Sequence, residues 1–108
     1  MRTFELRVYT LRSKEALEFY KDQIYPRHLT GSLAGFGIQA HGLWTSPTDT
    51  QPRLYVLASY PSGQDPEVLA RRYMESQAFL DDIKDFDVTN IVGVASTILK
   101  PTSSSPLS

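Results

Sequence analysis

The sequence predicts an α+β domain with the element order β-α-β-β-α-β: a four-stranded antiparallel sheet with two helices on one face. Three observations carry this expectation. The chain opens on a period of two, Phe4, Leu6 and Val8 against Glu5, Arg7 and Tyr9, which is the pattern of a strand with two unlike faces. Two later segments show helical spacing, and each has its own start signal. The second and third strand-like runs are joined by residues 46–53, a polar stretch too short for a helix, so they should pair as an antiparallel hairpin.

The elements follow in order. Residues 3–11 form the first strand. Ser13 can cap a helix in which Leu17, Tyr20 and Ile24 recur at helical spacing. Pro26 is expected to end or bend that helix, and Gly31 and Gly35 to mark the turn after it. The second strand is expected from Phe36 to about Thr45, with Gly37 and Gly42 as sites of bulging or tight curvature. Leu54 to Tyr60 is the third strand, stopped by Pro61-Ser62-Gly63.

Asp65-Pro66-Glu67 reads as a strong helix start: a capping carboxylate, a proline at the first helical position, and an acid favoured by the helix dipole. Leu69, Tyr73, Leu80 and Ile83 share its buried side, with a break near Glu75-Ser76. Ile91 to Leu99, rich in β-branched residues, is the fourth strand. One domain is expected over residues 1–100, and the Pro- and Ser-rich tail, 101–108, is expected to be disordered.

This order is the ferredoxin-like plan. Both helices lie on one face of the sheet. Whichever set of alternate residues faces the other way contains large apolar side chains, so a second sheet should cover it, and a homodimer is the expected assembly.

Composition narrows the partners. With 41% hydrophobic and 21% charged residues the 108-residue chain is of the globular class. Twelve acidic against eleven basic side chains leave a formal charge of −1, which provides no field for nucleic acid or an anionic membrane surface. The absence of cysteine removes disulfides, thiolate nucleophiles, iron–sulfur clusters and zinc ribbons together. No window approaches the about 20 apolar residues of a membrane span, and the alternating strand begins where a leader would need its apolar run. A cytoplasmic location is the expectation.

A resemblance enters with the first strand. Phe4-Glu5-Leu6-Arg7-Val8-Tyr9-Thr10-Leu11 resembles the Tyr-Glu-Leu-Arg-x-Tyr-x-Leu opening of the NIPSNAP family. The run Leu54–Tyr60 ending in an aromatic, and the helix carrying Ala70-Arg71-Arg72, are similar as well. Gln77-Ala78-Phe79 resembles the family's acid-Pro-x-Phe segment without its acid and proline, and Arg12-Ser13-Lys14 stands where the family commonly has Pro-Gly-Lys. The resemblance covers most of residues 3–99. It implies a dimeric α/β barrel, a superfamily that includes cofactor-independent monooxygenases, isomerases, polyketide cyclases and haem-degrading proteins.

Several residues can carry chemistry. Glu5, Arg7 and Tyr9 share one face of the first strand, where a carboxylate, a guanidinium and a phenol can orient a polar ligand and polarise a carbonyl. The alternative is a salt bridge with an aromatic neighbour, and the choice turns on which way that face looks. His28 falls in phase with Leu17, Tyr20 and Ile24, so it points inward as a candidate general base or else binds free carbonyls at a helix end. His41 lies mid-strand, as a second candidate base or an interface residue. Trp44 has the opposite parity unless a bulge at Gly42 resets the register.

Tyr55, Tyr60 and Tyr73 are core aromatics whose hydroxyls can meet a ligand oxygen, and Arg72 is either a solvated helix residue or a partner for a ligand acid group. No glycine-rich phosphate loop follows a strand, no histidine pair stands at ligand spacing, and no nucleophile elbow is present. No cofactor and no metal are therefore expected. The leading expectation is an acid–base enzyme (isomerase, cyclase or monooxygenase) for an aromatic or polyketide-like small molecule, with catalysis by His28, His41 and Tyr9. A non-catalytic binding or interaction module, and a haem-binding protein held by either histidine, are the alternatives.

Overall fold

The computed structural model, which describes residues 1–108, places β1 (Thr3–Leu11) inside the sheet. It is flanked by β3 (Arg53–Tyr60) and β4 (Ile91–Leu99), with β2 (Gln39–Trp44) beyond β3. All pairings are antiparallel, and the order β2-β3-β1-β4 is that of the ferredoxin-like fold. No helix is long and apolar enough to cross a membrane.

Ser13 caps α1 (Lys14–Phe19) by accepting the Ala16 N–H at 3.1 Å. The helical run does not stop at Pro26. It continues to Ser32 through wide turns at Tyr20–Ile24 and His28–Ser32, with the short α2 (Tyr25–Arg27) between them. The Tyr25 N–H reaches back to the Tyr20 carbonyl, and Pro26 falls at the start of α2, where a helix needs no N–H. Wide turns of this kind cost regular hydrogen bonding and often re-aim side chains at functional sites. Here they turn Tyr25 and His28 inward, both buried.

β2 begins at Gln39 and not at Phe36, because Ala34–Phe36 forms a tight helical turn. Gly37 ends that turn with φ 72°, and a Cβ there would stand 2.8 Å from the Pro61 ring, so this position requires glycine. Asp65 and Ser76 cap α3 (Pro66–Met74) and α4 (Gln77–Asp82), accepting the Glu67 and Phe79 N–H groups. The expected break between them lies at Glu75 and Ser76. Leu69 and Tyr73 are buried, but Leu80 is turned to solvent, because α4 restarts the helical phase after the break.

The register decides the parity question. Glu5, Arg7, Tyr9 and Leu11 face the helices together with Leu54, Val56, Ala58 and Tyr60. The helix side holds two apolar clusters, one around Leu17, Tyr20, Ile24 and Leu54, the other around Leu33, Ile38, Leu69 and Tyr73. The opposite face presents Phe4, Leu6 and Val8 with Tyr55 and Leu57, and no element of the chain covers it.

Candidate functional site

A cavity of about 160 Å³ lies between sheet and helices, with its wall drawn from both apolar clusters. β1 contributes Arg7 and Tyr9, the first helical run contributes Tyr20, Tyr25 and His28, and Tyr60, Tyr73 and Phe79 close other sides. The wall is thus mostly aromatic, with a few polar groups whose partners can be traced one by one.

His28 is held from every direction. Its ring stacks on Phe79 with planes 2° apart and meets Tyr25 and Tyr73 edge-on. Its Nδ1 lies 2.9 Å from Asp82 Oδ2 and 2.7 Å from the Tyr73 hydroxyl. Ser32 completes the knot, donating to Asp82 Oδ2 at 2.7 Å and standing 2.8 Å from the Tyr73 hydroxyl. A carboxylate oxygen this close to Nδ1 requires the proton there, so Asp82 fixes the tautomer with Nδ1–H and leaves a lone pair on Nε2. Nε2 has no hydrogen-bond partner in the chain, and no buried polar side-chain atom is sealed away unpaired, so it opens onto the cavity that His28 lines. Burial pulls the His28 pKa down against the opposing pull of Asp82, which keeps the imidazole neutral and basic at pH 7.

A second polar network sits on the sheet floor. Glu5 is 5% exposed and accepts from Tyr60 at 2.5 Å, from Ser96 at 2.5 Å and from Arg7 at 3.2 Å. Arg7 Nε donates to the Tyr9 hydroxyl at 3.0 Å. Its Nη2 has no partner. Burial opposes the Arg7 charge, but Tyr9 and Glu5 outweigh it, so the guanidinium stays charged in an apolar wall. Burial and the bond to Glu5 raise the Tyr60 phenol well above its usual range.

The structure thereby gathers Arg7, Tyr9, His28, Tyr60 and Tyr73 around one cavity, with Glu5 beneath them. It sends three others to the opposite sheet face. A bulge between Ala40 and Gly42 puts His41 and Trp44 on the same side, as a reset of register requires. There His41 stacks near Phe4 and bonds Ser59 at 2.7 Å, while a Cβ at Gly42 would collide with the Trp44 ring. Tyr55, paired with Val8 and Trp44, donates to Asp49 at 2.8 Å. Arg72 is exposed on α3 and makes no side-chain hydrogen bond. Sequence reasoning did not reach Asp82, Ser32, Tyr20 or Tyr25 as site residues. The helical spacings His28-Ser32 and Phe79-Asp82 were the available signals, since each pair lies on one helix face.

The NIPSNAP family model matches residues 4–106. A NIPSNAP family protein of Agrobacterium tumefaciens is similar at 20% identity, covering 99% of this chain and 94% of that one, with a TM-score of 0.77. A putative antibiotic biosynthesis monooxygenase from Nitrosomonas europaea is similar at 14% identity over 95% and 93% of the two chains, TM-score 0.64. A dimeric ferredoxin-like protein from an uncultured marine organism is similar at 12% identity over 96% and 93%, TM-score 0.59. At these identities the likeness is one of fold. No curated protein matches the chain.

Proposed function

The chain belongs to the NIPSNAP family, and we propose that it is a small-molecule enzyme whose first chemical step is removal of a proton from carbon by His28. One observation carries this reading: a neutral imidazole, fixed by Asp82, presents an unpaired Nε2 to an apolar cavity. The C–H proton passes to Nε2, and its electron pair moves onto the adjacent carbonyl oxygen. Arg7, with Tyr9 beside it, is the cation in the wall that stabilises the resulting enolate. Return of the proton to another carbon gives isomerisation, and attack of the enolate carbon within the same molecule gives cyclisation. Addition of that carbon to dioxygen gives a hydroperoxide. Loss of water from it, with the remaining C–H electrons cleaving the O–O bond, leaves a new carbonyl; this is the monooxygenase outcome, the activity named for the Nitrosomonas protein. Tyr60 and Tyr73 act as positioning residues, through Glu5 and His28.

A haem, with four pyrrole rings, is far larger than a ligand for this cavity, and His41 stands on the other sheet face beside Ser59. The homodimer forms, in this reading, through the uncovered face that carries Trp44, Leu57 and Leu99. Enolisable ketones incubated with the protein in D₂O test the chemistry, with exchange at the acidic carbon followed by proton NMR. The wild type should accelerate exchange and the His28→Gln variant should not. Equal rates in both would remove His28 as the base and favour a non-catalytic binder.

A further inference from the structure

We propose that the cavity takes an uncharged ligand about one ring in size that presents at least two acceptor oxygens around its acidic carbon, a 1,3-dicarbonyl compound or its enol. This rests on the proton-abstraction reading above and goes beyond it to the class of substrate.

Size comes first. A cavity of about 160 Å³ is close to the about 150 Å³ of an engineered protein cavity that holds benzene. A single ring with short substituents fits such a space, and a fused polycyclic skeleton does not.

The number of oxygens follows from which wall groups are already engaged. Tyr60 is bonded to Glu5, Tyr73 to His28 and Ser32, and Glu5 to Tyr60, Ser96 and Arg7. Tyr20 and Tyr25 are 4% and 5% exposed; the Tyr20 hydroxyl is engaged by that of Tyr9, while the Tyr25 hydroxyl has no hydrogen-bond partner in the chain. Both line the cavity, and Tyr25, unlike a phenylalanine, carries a donor that the protein leaves unused. Their rings pack on Tyr9 at 5.4 and 6.3 Å and on each other at 5.9 Å, and Tyr25 reaches His28 at 5.3 Å between ring centres. The donors are therefore fixed in place and lie along the path from Arg7 to the base. The Tyr25 hydroxyl and Arg7 Nη2 make two free donors facing one free acceptor, His28 Nε2. A ligand with two or more oxygens and one acidic hydrogen completes this set. A simple ketone leaves one of the two donors unpaired, which is the source of strong discrimination in sites built for hydrogen bonding.

Charge sets the last condition. Arg7 is balanced by Glu5, Arg27 is held by Asp85, and Asp82 beside His28 is left as an unbalanced negative charge close to the cavity. A permanent anion is disfavoured there, whereas an enolate that forms by giving its proton to His28 leaves the net charge of the site unchanged.

The test uses 2-acetylcyclohexanone as probe, with 2-methylcyclohexanone, 4-oxocyclohexanecarboxylate and the tricyclic anthrone as comparisons, titrated against wild type, Tyr20→Phe and Tyr25→Phe. Both variants keep the ring packing, and thermal unfolding reports that the fold is intact. The dicarbonyl should bind best, and Tyr25→Phe should weaken it by about tenfold, the effect of one hydrogen bond lost to a buried partner. Tyr20→Phe, which removes a group already bonded to Tyr9, should weaken it less. The variants should leave 2-methylcyclohexanone, with its single oxygen, less affected. No binding of the dicarbonyl at millimolar concentration, preference for anthrone or the carboxylate, or indifference of the Tyr25→Phe variant would each overturn the proposal. Deuterium exchange separates the two readings: selective binding without exchange sustains the ligand class and sinks the base, and exchange without selectivity does the reverse.

Discussion

The two faces of this sheet use similar residues to opposite ends. Each carries a histidine bonded to a serine or acid partner, each carries tyrosines, and each is largely apolar. On the helix side His28 is 3% exposed, its ring is held by three aromatic neighbours, and its remaining nitrogen opens onto a cavity. On the open side His41 is exposed, its Nε2 is taken by Ser59, and Arg2 donates to the same hydroxyl at 2.6 Å. The same imidazole is buried with one nitrogen free toward a cavity in one place and is an exposed strap across two strands in the other. Burial, an anchoring carboxylate and an empty space in front of the ring make the difference.

The largest expected effect breaks the helix-side site. His28→Gln should lower the rate of carbon-acid exchange by about 10²–10⁴-fold, the usual contribution of one positioned base, while His41→Gln should leave it unchanged. Asp82→Asn should fall between them with nearly the same binding, since the carboxylate sets the tautomer and does not touch the ligand. Next comes stability. Glu5→Ala leaves Arg7 without its acid in an apolar wall and should cost about 3–5 kcal/mol in urea unfolding, where a surface pair such as Arg71–Glu67 should be worth under about 1 kcal/mol.

Leu57→Asp tests the open face. It should convert a dimer to a monomer in light scattering after size-exclusion chromatography while exchange activity per chain persists. An unchanged dimer would place the interface elsewhere.

The pH dependence is smaller and has a definite sign. Burial lowers the His28 pKa below its unfolded value of about 6.5, so the unfolded chain binds that proton first. Stability is then fully present above about pH 6.5 and is lost as pH falls from there toward the lowered folded value. Activity should follow the same limb, rising with pH to a plateau reached below neutrality. The pKa of His41 is also lowered, by burial first and then by Arg2, but its exposure leaves it a minor contributor. His28→Gln should therefore flatten the acid slope of stability more than His41→Gln does. The smallest signal is spectroscopic. The single tryptophan, Trp44, is 53% exposed in the monomer, so its emission should shift to the red on dilution through the dimer dissociation range.

Much of the fold was legible because it depends on local pattern. The alternation of β1, the caps at Ser13 and Asp65, the break at Glu75-Ser76 and the span of β4 are each written in neighbouring residues, and they appear where that pattern puts them. Pro26 does not end the helical run, because the wide turns on both sides leave its missing N–H unneeded. Leu80 is turned to solvent, since a helix interrupted at Ser76 does not keep its phase. The candidate site was legible only as a set of residue types. Asp82 is one of twelve acids in the sequence, and nothing local distinguishes it from Asp81.

The sequence by itself determined the element order, the apolar character of both sheet faces and the grouping of Glu5, Arg7 and Tyr9 on one side of β1. Local preferences and a period of two suffice for these, since neither depends on distant residues. Only the tertiary structure decided that this side looks toward the helices, that a bulge moves His41 and Trp44 together to the other face, and that Asp82 meets His28 across 54 positions of chain. Those outcomes depend on how separate elements pack and on where one extra residue shifts a register. His28 meets this cavity with its tautomer fixed only because folding brings Asp82, Tyr73 and Phe79 around it.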